Sequence, residues 1–305
     1  MAASNPPLVV IAGPTASGKS ALALGLAQQQ GGVIVNADSA QIYRDLPVLS
    51  AAPSSEERTK VDHRLFGVLD GAESCSAADW AMLARREIAD VHASGRTPIL
   101  VGGTGLYLRT LLDGIAPVPP IDPEIRRRLR ETPVEQNRAE LERLDAAATA
   151  RISPADTTRI ARALEVVMST GRTIGDWQQQ REGGIADQVA LTPLVLLPPR
   201  DWLYARCDAH FAAMIDQGAA AEVEALLARR LDPDLPVMRG IGVREIAAFL
   251  AGETPLADAI AAGQQATRRY AKRQYTWFAH QPPPQWPRFR EPPGDAALAL
   301  LQPKG

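Results

Sequence analysis

LVVIAGPTASGKSALALGLAQQQGG, residues 8–32, reads as strand, turn and helix in immediate succession. The apolar run 8–12 lies between Pro7 and Gly13, the composition of a parallel strand buried on both faces. Helix formers follow from Lys19, and Gly31–Gly32 stop them. In the turn, Gly13, Gly18, Lys19 and Ser20 satisfy the spacing G-x4-G-K-S. The glycines let backbone N–H groups turn inward around an anion, and the helix N-terminus adds partial positive charge. Lys19 supplies a point charge for terminal phosphates, and the Ser20 hydroxyl suits Mg2+. Gly13, Pro14, Thr15, Ala16, Ser17, Gly18, Lys19 and Ser20 are therefore the expected phosphate site.

The alternation continues outward from this loop. GVIVNADS (32–39) reads as a second strand, polar only at its carboxyl end. Ser76 with Asp79 forms a capping box that opens a helix, and Gly95 closes it. TPILVGGTG (97–105) and QVALTPLVLLP (188–198) are further strand-like runs. Strands alternating with helices predict a P-loop NTPase-like α/β core, a parallel sheet flanked by helices. Near residue 116 the texture changes: PVPPIDP (117–123) is a stiff connector, and roughly sixty-five residues of helical character follow. Ser153–Pro154 with Asp156 marks a helix start there and Gly171 its end. The expected organisation is a core made of 1–119 and 186–280, a small all-helical insertion at 120–185 and a proline-rich tail at 281–305. The last core helix is expected from Pro255 to about Ala279, and the tail is expected to lie extended on the surface.

Composition excludes several classes. Of 305 residues 46% are hydrophobic and 22% charged, which is enough apolar matter for a large core. Cys75 and Cys207 stand far apart, without zinc spacing or a disulfide framework, so a reducing cytoplasm is expected. MAASNPP lacks the basic and apolar segments of a signal peptide, and no run of eighteen apolar residues predicts a membrane span. No interface stripe stands out, so a monomer is expected.

Asp38 follows the second strand and should reach the carboxyl edge of the sheet beside the phosphate loop, where active sites of open α/β sheets form. A carboxylate there takes a proton from a nucleophile or positions Mg2+, and an Asp-Ser pair is also a common turn. Thr104 carries the same two readings, a phosphate contact or a helix cap. The loop alone reads as nucleotide- or ATP-binding and admits a kinase of a small metabolite. PILVGGTG ends without Asp or Glu, which weakens a motor or GTPase reading. Residues 236–290 hold eight basic side chains against three acidic ones in a chain of net charge −2. Within ATRRYAKRQYTWF, Arg268 with Lys272 and Arg269 with Arg273 are four apart, with Tyr270, Tyr275, Trp277 and Phe278 interleaved. Such a stripe suits a nucleic-acid backbone or is a solvated face over aromatic core. Arg159 with Arg162, and Arg126–Arg127–Arg128, are smaller basic faces whose acidic neighbours nearly balance them.

GPTASGKS, VNADSAQIYR, PILVGGTGLYL, RIARALEV, RGIGVRE and TRRYAKRQYTWF stand in one order and spacing. Together they resemble the tRNA dimethylallyltransferase (tRNA isopentenyltransferase) family of bacterial type, over roughly residues 8–279. The resemblance implies transfer of a dimethylallyl group from dimethylallyl diphosphate to the exocyclic amine of the adenosine at tRNA position 37. That base lies 3′ of the anticodon, in tRNAs reading codons that begin with U. On the resemblance, Thr15–Ser20 hold the diphosphate with Mg2+, and Lys19 stabilises the leaving group. Asp38 is the base for the adenine amine and Thr104 lies near the reacting centre. Asp38, Ser39, Ala40 and Gln41 hold the adenine, and the family's RNA contacts fall on Arg126, on Thr158, Arg159, Ile160, Ala161 and Arg162, and on Arg239, Gly240, Ile241, Gly242, Val243 and Arg244. Three departures stand out: Val243 replaces an aromatic residue, DLPVLSAAPS lacks the usual Gly-Thr-Ala-Lys, and TWFAH replaces Trp-Phe-Arg. The zinc-binding extension of eukaryotic relatives is also absent from this sequence.

Overall fold

The computed structural model describes residues 5–302. Contacts divide the chain into two units, one formed by residues up to Leu111 together with Ala186 onward, the other by Leu112–Ile185.

The first unit opens with β1 (Pro7–Ala12), α1 (Lys19–Gln30), β2 (Val33–Asn36), α2 (Ser55–Lys60), β3 (His63–Arg64), α3 (Ala77–Ala93), β4 (Pro98–Gly102) and α4 (Gly105–Asp113). The second unit then contributes α5 (Pro123–Glu131), α6 (Val134–Leu144), α7 (Ala146–Arg151), α8 (Thr157–Thr170) and α9 (Ile174–Gln178). The chain returns as β5 (Ala190–Leu196), α10 (Arg200–Asp216), α11 (Ala219–Ala228), α12 (Val243–Leu250), α13 (Leu256–His280), β6 (Arg288–Phe289) and α14 (Asp295–Ala299). No helix among the described residues is long and apolar enough to cross a membrane.

One six-stranded sheet, in the order β3-β2-β4-β1-β5-β6, is parallel throughout. Both faces of a parallel sheet are covered, so its strands are apolar at nearly every position. β1, β2 and β4 show this: Leu8 to Ala12, Val33 to Asn36 and Pro98 to Gly102 are all buried. Leu22 and Leu26 of α1 close one side of that core against Val9, Ile11, Ile99 and Val101. The register sets Ala12 beside Gly102 and Asn36 beside Val101. The carboxyl ends of β1, β2 and β4 therefore terminate next to one another, and the segments after them form the site.

The helical unit has its own core. Leu129, Leu141, Ala148, Ile160, Ala163 and Leu164 meet at its centre, with Ile125 and Val167 packed around them.

Two expectations need correction, and two short elements were not foreseen. The tail does not lie extended: Arg288–Phe289 adds a sixth strand beside β5, and α14 follows. Trp286, Ala297 and Leu301 are buried, and Leu298 and Phe289 pack on the α1 core. The prolines that suggested a surface tail only space these apolar anchors. The cap of α8 is Asp156, whose side chain accepts from the Arg159 N–H, and Ser153 lies outside the helix. The short elements α2 and β3 carry too few residues to show a period, and the sequence reading passed over them.

Candidate active site

The phosphate loop leaves β1 at Gly13 and enters α1 at Lys19. Gly18 caps the helix at φ 88°, a left-handed conformation that a side chain disfavours. No side chain caps α1, so its first N–H groups are left for an anion. Ser17 N–H closes a turn on the Pro14 carbonyl at 3.3 Å, and the Ser17 hydroxyl is buried without a partner among the described residues. Lys19 is 8% exposed, and its ammonium donates to the Pro14 carbonyl at 2.6 Å. Burial pushes that ammonium down to about 8, with the nearby Asp38 carboxylate opposing the shift. Arg206 of α10, stacked on Trp202, donates to the Ala16 carbonyl at 3.1 Å and braces the loop from outside.

Asp38 stands just beyond β2. Asn36, fully buried, accepts from the Asp38 N–H at 2.8 Å and donates to the Asp38 and Leu65 carbonyls, fixing the backbone at the turn. One Asp38 carboxylate oxygen accepts from the Ala40 N–H at 3.0 Å. Both readings of this residue thus hold at once: it shapes a turn and presents a carboxylate to the cavity. Thr104 caps nothing with its hydroxyl. That hydroxyl accepts from the Ser39 N–H at 2.9 Å and donates to the Ser39 hydroxyl, tying the end of β4 to the segment after β2. Burial raises the phenol of Tyr270 of α13 above the ordinary range, keeping it protonated.

A cavity of ≈ 250 Å³ opens beside these groups. Thr15, Asp38, Ser39 and Ala40 line it together with Leu46, Leu49, Phe211, Met214, Val237 and Ile241. Tyr43, Cys75 and Tyr107 line it as well; burial raises the Cys75 thiol, so it is a neutral group near pH 7. A site with anion donors, one carboxylate and a mainly apolar pocket suits a substrate that is part phosphate and part hydrocarbon.

Comparison with known proteins agrees with that chemistry. A family model described as IPP transferase matches residues 41–281. The chain belongs to the IPP transferase family. It is 64% identical over 290 residues to the tRNA dimethylallyltransferase of Erythrobacter litoralis, covering 93% of this chain and 92% of that one. It is 65% identical over 285 residues to the tRNA dimethylallyltransferase of Sphingopyxis alaskensis, covering 93% of each. The full-length tRNA isopentenylpyrophosphate transferase of Bacillus halodurans superposes with a TM-score of 0.66 at 32% identity, covering 93% of this chain and 89% of that one. A eukaryotic dimethylallyltransferase solved acting on tRNA reaches 0.78 at 28% identity, over 89% of this chain and 69% of that one.

The residues that the IPP transferase resemblance singles out fall in three places. Thr15, Asp38, Ser39, Ala40, Arg239, Gly240 and Ile241 share the cavity. Gln41 does not: its amide donates to the Ser50 and Ala51 carbonyls and closes the loop that forms one cavity wall. Gly242 and Val243 are buried at the start of α12, while Arg244 beside them is exposed. Arg239 pairs with Asp234 on the surface. The rest lie in the helical unit, where Arg126 and Arg162 share the nearly buried Glu165 carboxylate at 3.6 and 3.4 Å. Arg159 pairs with Asp156, Thr158 is exposed, and Ala161 is partly exposed. Ile160 is fully buried in the core of that unit, and Val243 is 2% exposed. Neither side chain reaches a surface, so any contact in those segments falls on their polar neighbours.

The basic run late in the chain is also thinner than its count implied. Arg288 donates to the Pro282, Pro283, Pro284 and Trp286 carbonyls and knots the tail, and Arg268 pairs with Asp208. Arg269, Lys272 and Arg273 remain on the exposed face of α13. For a metal, no group of three or more His, Cys, Asp or Glu side chains converges among the described residues. The exposed Ser20 hydroxyl and the Asp38 carboxylate are hard oxygen donors, a set that fits Mg2+ carried mainly by phosphate oxygens and water.

Sequence reading missed Arg206, Gln274 and Glu222. Glu222 of α11 accepts from the Val48 and Leu49 N–H groups and holds the cavity wall that lacks the family's usual lysine. Arg206 and Glu222 belong to no contiguous motif, and Gln274 lies inside TRRYAKRQYTWF, where the basic and aromatic residues drew the reading away from it.

Proposed function

We propose that this chain transfers the dimethylallyl group of dimethylallyl diphosphate to N6 of the adenosine at tRNA position 37. The observation that carries the reading is that Thr15 of the phosphate loop and Asp38 line one cavity together with Leu46, Leu49, Phe211, Met214 and Val237. The adenine reaches this depth only when flipped out of the anticodon loop.

The diphosphate lies against the uncapped start of α1 with Lys19 beside it, and the five-carbon chain extends toward Leu46, Phe211 and Met214. As the allylic C–O bond breaks, its electron pair leaves on the diphosphate, where backbone N–H groups and Lys19 stabilise the added charge. The Ser20 hydroxyl would hold Mg2+, which when bound would supply further charge neutralisation. The amine nitrogen forms the new bond to the allylic carbon, and its proton passes to Asp38. The two Thr104–Ser39 hydrogen bonds keep the segment after Asp38 in place. Diphosphate departs intact, so no nucleotide is consumed. The protein acts as a monomer in the cytoplasm, where its RNA substrate resides.

Incubation with labelled dimethylallyl diphosphate and an unmodified anticodon stem–loop tests the reading. Label on the adenine amine with release of pyrophosphate is the expected result. ATP-dependent phosphorylation of a small metabolite, with no label on RNA, would replace it with a kinase.

A further inference from the structure

α13 carries two faces with different work. Thr267, Tyr270, Gln274 and Trp277 recur every three or four residues and point one way, toward the carboxyl edge of the sheet. Arg269, Lys272, Arg273 and Thr276 recur on the other side and are exposed. The inward face explains two glycines that sequence alone left unaccounted for. A Cβ on Gly103 would collide with the Gln274 amide, and one on Gly105 with the Trp277 ring. GGTG is therefore a docking surface for this helix as much as a strand end.

Gln274 is 5% exposed, and both ends of its amide are used. Its oxygen accepts from the Thr15 N–H at 2.8 Å, and its nitrogen donates to the Gly103 carbonyl at 2.8 Å. A single side chain thus joins the loop after β1 to the end of β4. The Thr15 N–H is consequently turned away from the anion, leaving the uncapped N–H groups of α1 to receive it.

We propose that Gln274 is a positioning residue that sets the phosphate loop in its anion-binding conformation before the diphosphate arrives. The inference rests on reading the loop as a diphosphate site. A loop built around Gly13 and Gly18 has many accessible backbone states, and fixing it in advance lowers the ordering cost that the ligand would otherwise meet. Two hydrogen bonds of ordinary net strength amount to roughly a tenfold effect on affinity.

The test uses the full chain and inorganic pyrophosphate with Mg2+. Gln274→Met fills nearly the same volume and makes neither hydrogen bond. By titration calorimetry its pyrophosphate affinity should fall about tenfold, while affinity for an anticodon stem–loop stays within about twofold. Hydrogen exchange supplies a second readout: the Thr15 amide should be protected in ligand-free wild type and exposed in Gln274→Met. Wild-type pyrophosphate affinity in a folded Gln274→Met, or equal losses for RNA and pyrophosphate, would overturn the proposal. So would an unprotected Thr15 amide in the wild type, a measurement that needs no variant. Wild type that binds no pyrophosphate at all would instead remove the diphosphate reading, leaving the tether to be judged on Thr15 exchange.

Discussion

The carboxyl edge of the sheet and the helical unit Leu112–Ile185 both collect polar side chains, and they spend them differently. At the sheet edge Lys19, Asn36 and Gln274 are all less than a tenth exposed, and each makes a hydrogen bond to a particular backbone group. In the helical unit Arg127, Arg143 and Arg159 reach carboxylates three residues away on the same helix, with side chains more than half exposed. A buried polar group without its partner costs more than the bond is worth, whereas an exposed ion pair is nearly neutral. The first region is therefore a preorganised site, whereas the exposed arginines of the second form an adaptable surface over a core that buries polar groups of its own, Asn137, Asp145, Thr149 and Glu165.

The sharpest way to break this contrast is at Asp38. Asp38→Asn keeps the size and the turn to Ala40 but cannot take a proton. Prenyl transfer should fall by roughly 10³-fold, the scale of a lost general base, while stem–loop binding is retained. A single-turnover assay at saturating donor checks this, and near-wild-type turnover would remove the proton-acceptor role.

A stability effect comes next. The tail belongs to the sheet unit, and Trp286 is 8% exposed. Trp286→Ala should cost about 3 kcal/mol in chemical denaturation, in the range for large-to-small core changes. A change under about 0.5 kcal/mol would return the tail to the surface role that its prolines suggested.

Lys19 sharpens the comparison through pH. Its ammonium titrates near 8 in the ligand-free protein because burial disfavours the charge. Pyrophosphate requires the charged form, so affinity should be highest below pH 8 and fall about tenfold per unit above it. Stability carries the opposite sign. The unfolded chain holds this proton up to the ordinary lysine value of 10.5, so between about 8 and 10.5 it binds more protons than the folded state, and this residue's contribution rises with pH. Lys19→Arg, which stays charged, should flatten the binding profile; a profile unchanged by the substitution would assign the titration to another group.

The same distinction governs what the sequence made legible. The phosphate loop, the sheet class and the helical insertion could be read because short apolar runs, glycines and caps obey local rules. Asp38 could be placed because it follows a strand, and its role came from the ordered motifs. Gln274, Arg206 and Glu222 were invisible because their partners lie far along the chain: Gln274 reaches Thr15, Arg206 reaches Ala16 and Glu222 reaches Val48. β6 was hidden for a related reason, since two residues among prolines have no periodicity until β5 offers them an edge. The count of eight basic residues overstated the free charge, because Arg288 is spent on carbonyls and Arg268 on Asp208, while Arg269, Lys272 and Arg273 stay exposed.

The smallest effect tests the adaptable side. Arg159 is exposed and its partner Asp156 already serves as the cap of α8, so the cap survives when the arginine is removed. Arg159→Ala should therefore leave the denaturation midpoint almost unchanged, within about 0.5 kcal/mol. If the segment meets RNA backbone, stem–loop affinity should drop a few-fold at low salt, and the slope of log affinity against log salt should shrink by roughly one phosphate contact. An unaltered slope would mean that Arg159 is only a solvated end of an ion pair. The RNA contact in this unit would then have to come from Arg126 and Arg162, whose shared carboxylate holds them in register across α5 and α8.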